Sequence, residues 1–92
     1  MGVEVGTVRT VAGCRADKAQ ALKVLEEAAE VYSAWERYRA DPSGGSHDGL
    51  LCELADLVIS ACGMASALGA DDLSPWLADR TVSNLVRGRV MR

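Results

Sequence analysis

Residues 50–68, LLCELADLVISACGMASAL, decide the fold class of this chain. Apolar and small side chains cover most of the circumference of a helix built on this stretch, which is typical of a buried helix. We therefore predict a helix from about Gly49 to Leu68, with Gly69 as the residue that stops it.

A second helix is predicted before this one. Asp17 can cap it, and no Gly or Pro interrupts the good helix formers that follow as far as about Ala40. Between the two helices, DPSGGSHDG from Asp41 to Gly49 has the composition of a loop. Asp48 in this loop is a candidate N-cap for the next helix.

A third helix is predicted from Ser74, as N-cap, and Pro75, at the first helical position, to about Arg87. Residues 1–16 are rich in Gly and Val and are predicted to form an irregular arm. The chain is therefore expected to be one small all-α domain spanning residues 1–92, a helical bundle completed by homo-oligomerisation.

The amino-acid composition indicates which partners to expect. Apolar residues make up 49% of 92 residues, which is more than one small core can hide, so a homodimer or homotetramer is expected. The net charge of -3 and the scattered basic residues argue against a nucleic-acid surface. We see no signal peptide and no apolar run long enough to cross a membrane, and the cysteine number is odd without a C-x-x-C pair. A cytoplasmic protein with reduced, buried thiols and no membrane partner is expected.

The informative anomaly of the apolar helix is a pair of acids. Glu53 and Asp56 are spaced i, i+3 and share a face, which Ser60 and Gly63 continue with small side chains. Unpaired carboxylates are costly to bury, so something positive must compensate them.

The first helix offers more acids at the same spacing. Glu27 and Glu30 are i, i+3, and Glu26 is adjacent to them. If the acidic faces of two packed helices meet, four carboxylates come together and a divalent cation can stabilise them. Oxygen ligands favour Mg²⁺, Mn²⁺ or Ca²⁺, and Mg²⁺ also accepts phosphate oxygens. Alternatively, the first acids form a solvated face, and the second pair with arginines of the third helix.

The two acidic motifs, LEEAAE at residues 25–30 and CELAD at residues 52–56, resemble the MazG-like all-α nucleotide pyrophosphohydrolases. The family pattern is E-E-x-x-E, a loop, then E-x-x-D. A later K-x-x-x-N-x-x-R is matched with Arg in place of Lys, and the resemblance covers roughly residues 23–87. The matching positions are Glu26, Glu27, Glu30, Glu53, Asp56, Arg80, Asn84 and Arg87.

The resemblance implies Mg²⁺-dependent hydrolysis of a nucleoside triphosphate between the α- and β-phosphates, giving a monophosphate and pyrophosphate. It implies metal ligation by Glu27, Glu30, Glu53 and Asp56, with Mn²⁺ as a possible substitute. Glu26 would bind a second ion or act, with Glu27, in activating water.

The basic triplet Arg80, Asn84 and Arg87 falls on one helical face and is expected to bind phosphate oxygens, or to be a solvated basic face. Lys23 is expected either to reach the phosphates or to pair with Glu27. Many family members also have an N-terminal helix that supplies an aromatic residue to the base pocket, where this chain has its arm.

Two alternatives stay open. One is a phosphoribosyl-ATP pyrophosphohydrolase, a relative that breaks the same kind of bond. The other is a non-catalytic helical dimerisation module that retains the acids.

Overall fold

The computed structural model describes residues 1–88, and within them the chain is all-helical with no strand. The all-α prediction is confirmed at this level. Residues 1–17 precede the first helix without regular structure. The last part of the predicted 1–92 domain, residues 89–92, lies outside the described residues. The helices are α1 Lys18–Ala40, α2 Gly44–Ala67 and α3 Ser74–Val86.

Helix α1 begins and ends where the sequence predicts. The Asp17 carboxylate accepts a hydrogen bond from the Gln20 backbone N–H at 3.0 Å, which satisfies one of the free donors of the first turn. At the other end, the Asp41 N–H donates to the Arg37 carbonyl at 3.0 Å. The cap and the absence of Gly and Pro between these ends together explain the helix.

Helix α2 begins earlier than predicted, at Gly44, so the prediction of a loop over 41–49 is wrong beyond Ser43. The cap is Ser43, not Asp48. Its hydroxyl accepts from the Ser46 N–H at 3.0 Å, and the Ser46 hydroxyl accepts from the Ser43 N–H at 2.9 Å. This reciprocal pair forms a capping box, and it stabilises a first turn that two glycines would otherwise weaken.

The boundary between α2 and α3 is partly as predicted. Gly69 has a φ of +86°, the left-handed conformation expected just beyond a helix end. Ser74 is the first residue of α3 and not its cap. Instead the Ser74 N–H donates to the Asp72 carboxylate at 2.8 Å. Hydrogen bonds from Ser74, through its side chain and then its backbone, lower the pKa of Asp72.

Helices α1 and α2 form an antiparallel hairpin. Near the start of α1, the Gln20 amide donates to the Ser60 carbonyl near the end of α2, at 2.9 Å. Among the less exposed positions of each helix, one set recurs at alternating spacings of four and three, the spacing of a coiled-coil seam. On α1 these are Gln20, Val24, Glu27, Val31, Ala34 and Tyr38, and on α2 they are Leu50, Glu53, Leu57, Ser60, Met64 and Ala67.

Much apolar surface faces solvent. In the described residues, Ala34 is the only buried apolar side chain, and α2 buries only Ser60 and Gly63. The radius of gyration is 15.0 Å, against about 12 Å for a compact domain of this length. The prediction that α2 is buried is therefore not met within a single chain. The exposed apolar side chains of the hairpin include Leu22, Leu25, Tyr32, Trp35, Leu51, Leu54 and Ile59.

Helix α3 packs its backbone against neither α1 nor α2. Near its start, Trp76 lines a shallow cleft of about 370 Å³ beside Ala65 and Leu68 at the end of α2. Trp76 itself is 59% exposed. The hairpin is therefore the one packed unit among the described residues, and α3 extends from it.

Helix α2 is also long and apolar enough to cross a membrane. It has 24 residues, and its most apolar window has a mean hydropathy of 1.6. The prediction that no apolar run reaches this length is therefore wrong. Only 11% of that window is buried inside the chain. A helix at the core of an assembly has the same length and composition, so the finding by itself is weak evidence of a membrane span.

Candidate metal centre

Three of the predicted metal ligands converge between α1 and α2. Glu27, Glu53 and Asp56 each offer a carboxylate oxygen, and these oxygens all lie within 4.8 Å of one another. Glu27 and Glu53 belong to the hairpin seam, so the packing of the two helices itself brings them together. Asp56 follows Glu53 by one turn on α2 and completes the group from the solvent side.

The three-carboxylate group has little compensating charge. Two carboxylates 4.8 Å apart repel by roughly 3 kcal/mol at an effective dielectric constant of about 20. The Lys23 ammonium lies 3.3 Å from the Glu27 carboxylate, whose side chain is only 17% exposed. In the described residues, the only other ion pair joins His47 to Asp48. One lysine, paired with Glu27, is therefore the one basic partner of the three acids among the described residues.

The donor set fits a hard divalent cation. All three ligands are carboxylate oxygens carried by helices, and no thiol or imidazole belongs to the group. Three oxygens on one octahedral Mg²⁺ include adjacent pairs only about 3 Å apart, so oxygens that lie within 4.8 Å of one another must move closer before they share one ion. Small side-chain rotations would bring the oxygens into range, and the exposed side of Asp56 leaves room for water or phosphate oxygens.

The other predicted acids lie beside this group. Glu30 follows Glu27 by one turn of α1 and is exposed, outside the set of mutually close oxygens. Glu26 is exposed on the same helix. The structure therefore brings together three of the four predicted ligands and leaves the fourth facing solvent.

The predicted basic triplet is not brought to the carboxylates. Arg80 and Asn84 lie on α3, and Arg87 caps its end. Because α3 packs against neither helix of the hairpin, nothing in the described fold holds these side chains at the acidic group. Among the described residues of a single chain, no arginine of α3 forms an ion pair with Glu53 or Asp56.

Lys23 adopts the i, i+4 pair with Glu27 that the sequence left open. It also lines a cleft of about 450 Å³ between the N-terminal arm and the two helices. Arg15 of the arm and Gln20 of α1 line this cleft too, and sequence reasoning missed both. The signal for Gln20 was available, since it lies seven residues before Glu27 on the same face.

The three cysteines are free thiols, as expected. The expectation that they are buried is wrong within one chain, because Cys52 is exposed and both Cys14 and Cys62 are half-buried. None of the three belongs to the acidic group.

No family model, curated protein or solved structure matches this chain. The acidic motifs and the geometry of the three carboxylates are therefore the features that bear on function.

Proposed function

We propose that this protein is a Mg²⁺-dependent nucleoside triphosphate pyrophosphohydrolase that cleaves the α–β phosphate bond to give a monophosphate and pyrophosphate. The observation that carries the proposal is the approach of Glu27, Glu53 and Asp56 across the α1–α2 interface within 4.8 Å. Uncompensated acids on facing helices are costly unless a cation occupies them.

The roles of the chain's own residues follow from their positions. Glu27, Glu53 and Asp56 would hold the cation, which supplies charge neutralisation and polarises phosphate oxygens. Glu30 is proposed as a fourth ligand, because a rotation of its exposed side chain can bring it toward Glu27. Glu26, exposed beside them, is proposed to accept the proton of the attacking water or to hold a second ion.

The proposed enzyme is a cytoplasmic homodimer or homotetramer without nucleic-acid or membrane partners. Exposed apolar side chains on both helices of the hairpin support the oligomer, since a soluble monomer seldom exposes so many together. Burial of α2 by a second hairpin would also account for its nearly all-apolar surface. Arg80, Asn84 and Arg87 stay proposed phosphate contacts, which requires that α3 reach a metal centre in its own or a neighbouring subunit.

A non-catalytic dimerisation module is the second candidate, and the exposed apolar faces of α1 and α2 favour it. It predicts stable oligomers whether or not the acids bind metal. Phosphoribosyl-ATP hydrolysis is a variant of the first proposal and differs only in the substrate.

The test is release of pyrophosphate from a panel of canonical and modified nucleoside triphosphates and phosphoribosyl-ATP, with Mg²⁺ or Mn²⁺. We expect turnover that Glu53→Gln reduces at least about a hundredfold, since it removes a ligand charge. Glu36→Gln is the matched control, because Glu36 is an exposed acid on α1, half a turn away from the face of Glu27. No release from any substrate, or equal loss in both variants, contradicts the proposal.

A further inference from the structure

The cleft beside the metal centre is formed by the arm as well as by the helices. Residues of the arm, of the start of α1 and of the end of α2 line an open cleft of about 450 Å³. This volume lies in the range of small-molecule sites. The polar side chains that line the cleft are Cys14, Arg15, Asp17, Gln20, Lys23 and Ser60.

Two contacts define the inner wall of the cleft. The Gln20 amide donates to the Ser60 carbonyl at 2.9 Å, which ties the start of α1 to α2. Gly63 is buried beneath this contact, and a Cβ there would lie 3.1 Å from the Gln20 amide nitrogen and 3.5 Å from the Cys14 sulfur. The absence of a side chain at Gly63 therefore lets both the arm and α1 approach α2 closely.

The charges of the cleft connect it to the metal centre. Lys23 lines the cleft and also lies 3.3 Å from the Glu27 carboxylate, so this side chain is common to the cleft and the centre. Arg15 adds a second cation from the arm. Asp17 is the one acid of the lining, and its carboxylate already accepts the Gln20 N–H as the helix cap.

This distribution of charge suits an anion with several phosphates. A cation that held one phosphate at the acidic group would leave the next phosphates near Lys23, and Arg15 lines the same cleft as Lys23. A guanidinium can bind two phosphate oxygens at once, so Arg15 suits binding of the polyphosphate chain in the ground state and the transition state alike. Arg80 and Arg87 are not in this position, because α3 packs away from the hairpin.

We propose that Arg15 and Lys23 form a subsite for the polyphosphate chain of the substrate, so that the N-terminal arm is part of the active site. This inference rests on the proposed function for its substrate class. It assigns the leaving pyrophosphate to the arm side of the metal centre and gives the arm a binding role.

The direct test is calorimetric titration of inorganic triphosphate into the full-length protein with Mg²⁺ present. Arg15→Gln is expected to weaken binding about tenfold, the equivalent of one partly exposed charge-assisted hydrogen bond. Arg15→Lys is expected to recover part of the loss. Arg9→Gln is the matched control, since Arg9 is an exposed arginine of the arm outside the cleft and should leave binding unchanged. Far-ultraviolet circular dichroism should be the same for all variants, because neither arginine lies in a helix.

A second measurement separates this inference from the proposed function. In pyrophosphate-release assays, Arg15→Gln should raise KM and leave kcat within about threefold of the parent value. Turnover with unchanged triphosphate binding in Arg15→Gln would overturn the subsite and leave the proposed function standing. Arg15-dependent triphosphate binding without any turnover would support the subsite and overturn the proposed function. A parent protein that does not bind triphosphate, or an Arg15→Gln variant altered only in its choice of base, also overturns the subsite.

Discussion

Glu53 shows how one side chain can cost stability and support function at the same time. It is half-buried in the helix seam, and Glu27 faces it from the other helix. In the absence of a cation the two carboxylates repel, whereas a bound cation turns the same contact into a cross-link between α1 and α2.

We therefore predict that Glu53→Gln raises the free energy of unfolding without metal and lowers it, relative to the parent, when Mg²⁺ is present. Without metal, the variant should be more stable than the parent by about 1 kcal/mol, because the charge repulsion is reduced. With millimolar Mg²⁺ the parent should gain stability that the variant lacks, because only the native site binds the ion. Thermal unfolding with EDTA and with Mg²⁺ measures both, and Glu36→Gln should follow the parent in each. A parent protein whose Tm ignores Mg²⁺ would count against the metal centre.

Asp72 gives a pH dependence to the start of α3. Hydrogen bonds from Ser74 lower its pKa, so its stabilising contribution is present above the unfolded-state pKa and is lost as the pH falls through the lower, folded-state value. The helicity of the first turn of α3 should therefore decline in acid below the normal range of an aspartate. Chemical shifts of Ser74 and Trp76 report it by NMR. Asp72→Asn should flatten this acid response, and Asp71→Asn should leave it in place.

At the scale of the elements, the two helix-interior glycines of α2 have opposite surroundings. Nothing lies within 4 Å of a Cβ placed on Gly49, whereas one on Gly63 would press on the Gln20 amide nitrogen and lie in ordinary contact with the Cys14 sulfur. Alanine favours a helix over glycine by about 1 kcal/mol. At Gly63 this gain is opposed by displacement of the Gln20 amide and loss of its bond to Ser60.

We therefore expect Gly49→Ala to raise the free energy of unfolding by about 0.5–1 kcal/mol. The free energy of unfolding of Gly63→Ala should be about 1 kcal/mol lower than that of Gly49→Ala, because the close approach of α1 to α2 is impaired. Urea unfolding of the two variants at matched protein concentration gives the comparison. Equal stabilisation by both would mean that Gly63 is not a point of close packing in solution.

The helix ends show what the sequence could and could not predict. α1 was predictable because Asp17 is a strong cap and no breaker follows it. The start of α2 was not, because Gly44 and Gly45 have the composition of a loop and only the reciprocal bonds of Ser43 and Ser46 reveal the capping box. Local propensity was outweighed there by two side-chain hydrogen bonds.

The candidate site also has a part that the sequence could predict and a part that it could not. Spacing placed Glu53 and Asp56 on one face, because helical periodicity is a local property. That Glu27 and not Glu30 faces them depends on the rotation of α1 against α2, which packing decides. The position of α3 was beyond local reasoning, since its spacing places Arg80, Asn84 and Arg87 together without saying what they face.

For the whole molecule, the exposed apolar surface of the hairpin is the dominant feature. We expect sedimentation equilibrium to give a mass that is a multiple of 9.7 kDa at micromolar concentration. Leu54→Arg should shift the protein toward a monomer, because Leu54 lies on α2 and is 40% exposed in the single chain. Val86→Arg is the control, on α3 and 83% exposed. A monomeric parent protein would contradict the proposed assembly.

The connection between α1 and α2 consists only of Asp41–Ser43, and this has a kinetic consequence. Closing so short a loop costs little chain entropy, and contacts between neighbouring helices are characteristic of proteins that fold in microseconds to milliseconds. All three carboxylates of the centre belong to this hairpin. In refolding, the two helices of the hairpin could therefore pair before α3 takes its place. The cation-binding geometry would then be among the first parts of the molecule to form and would be available to guide later assembly.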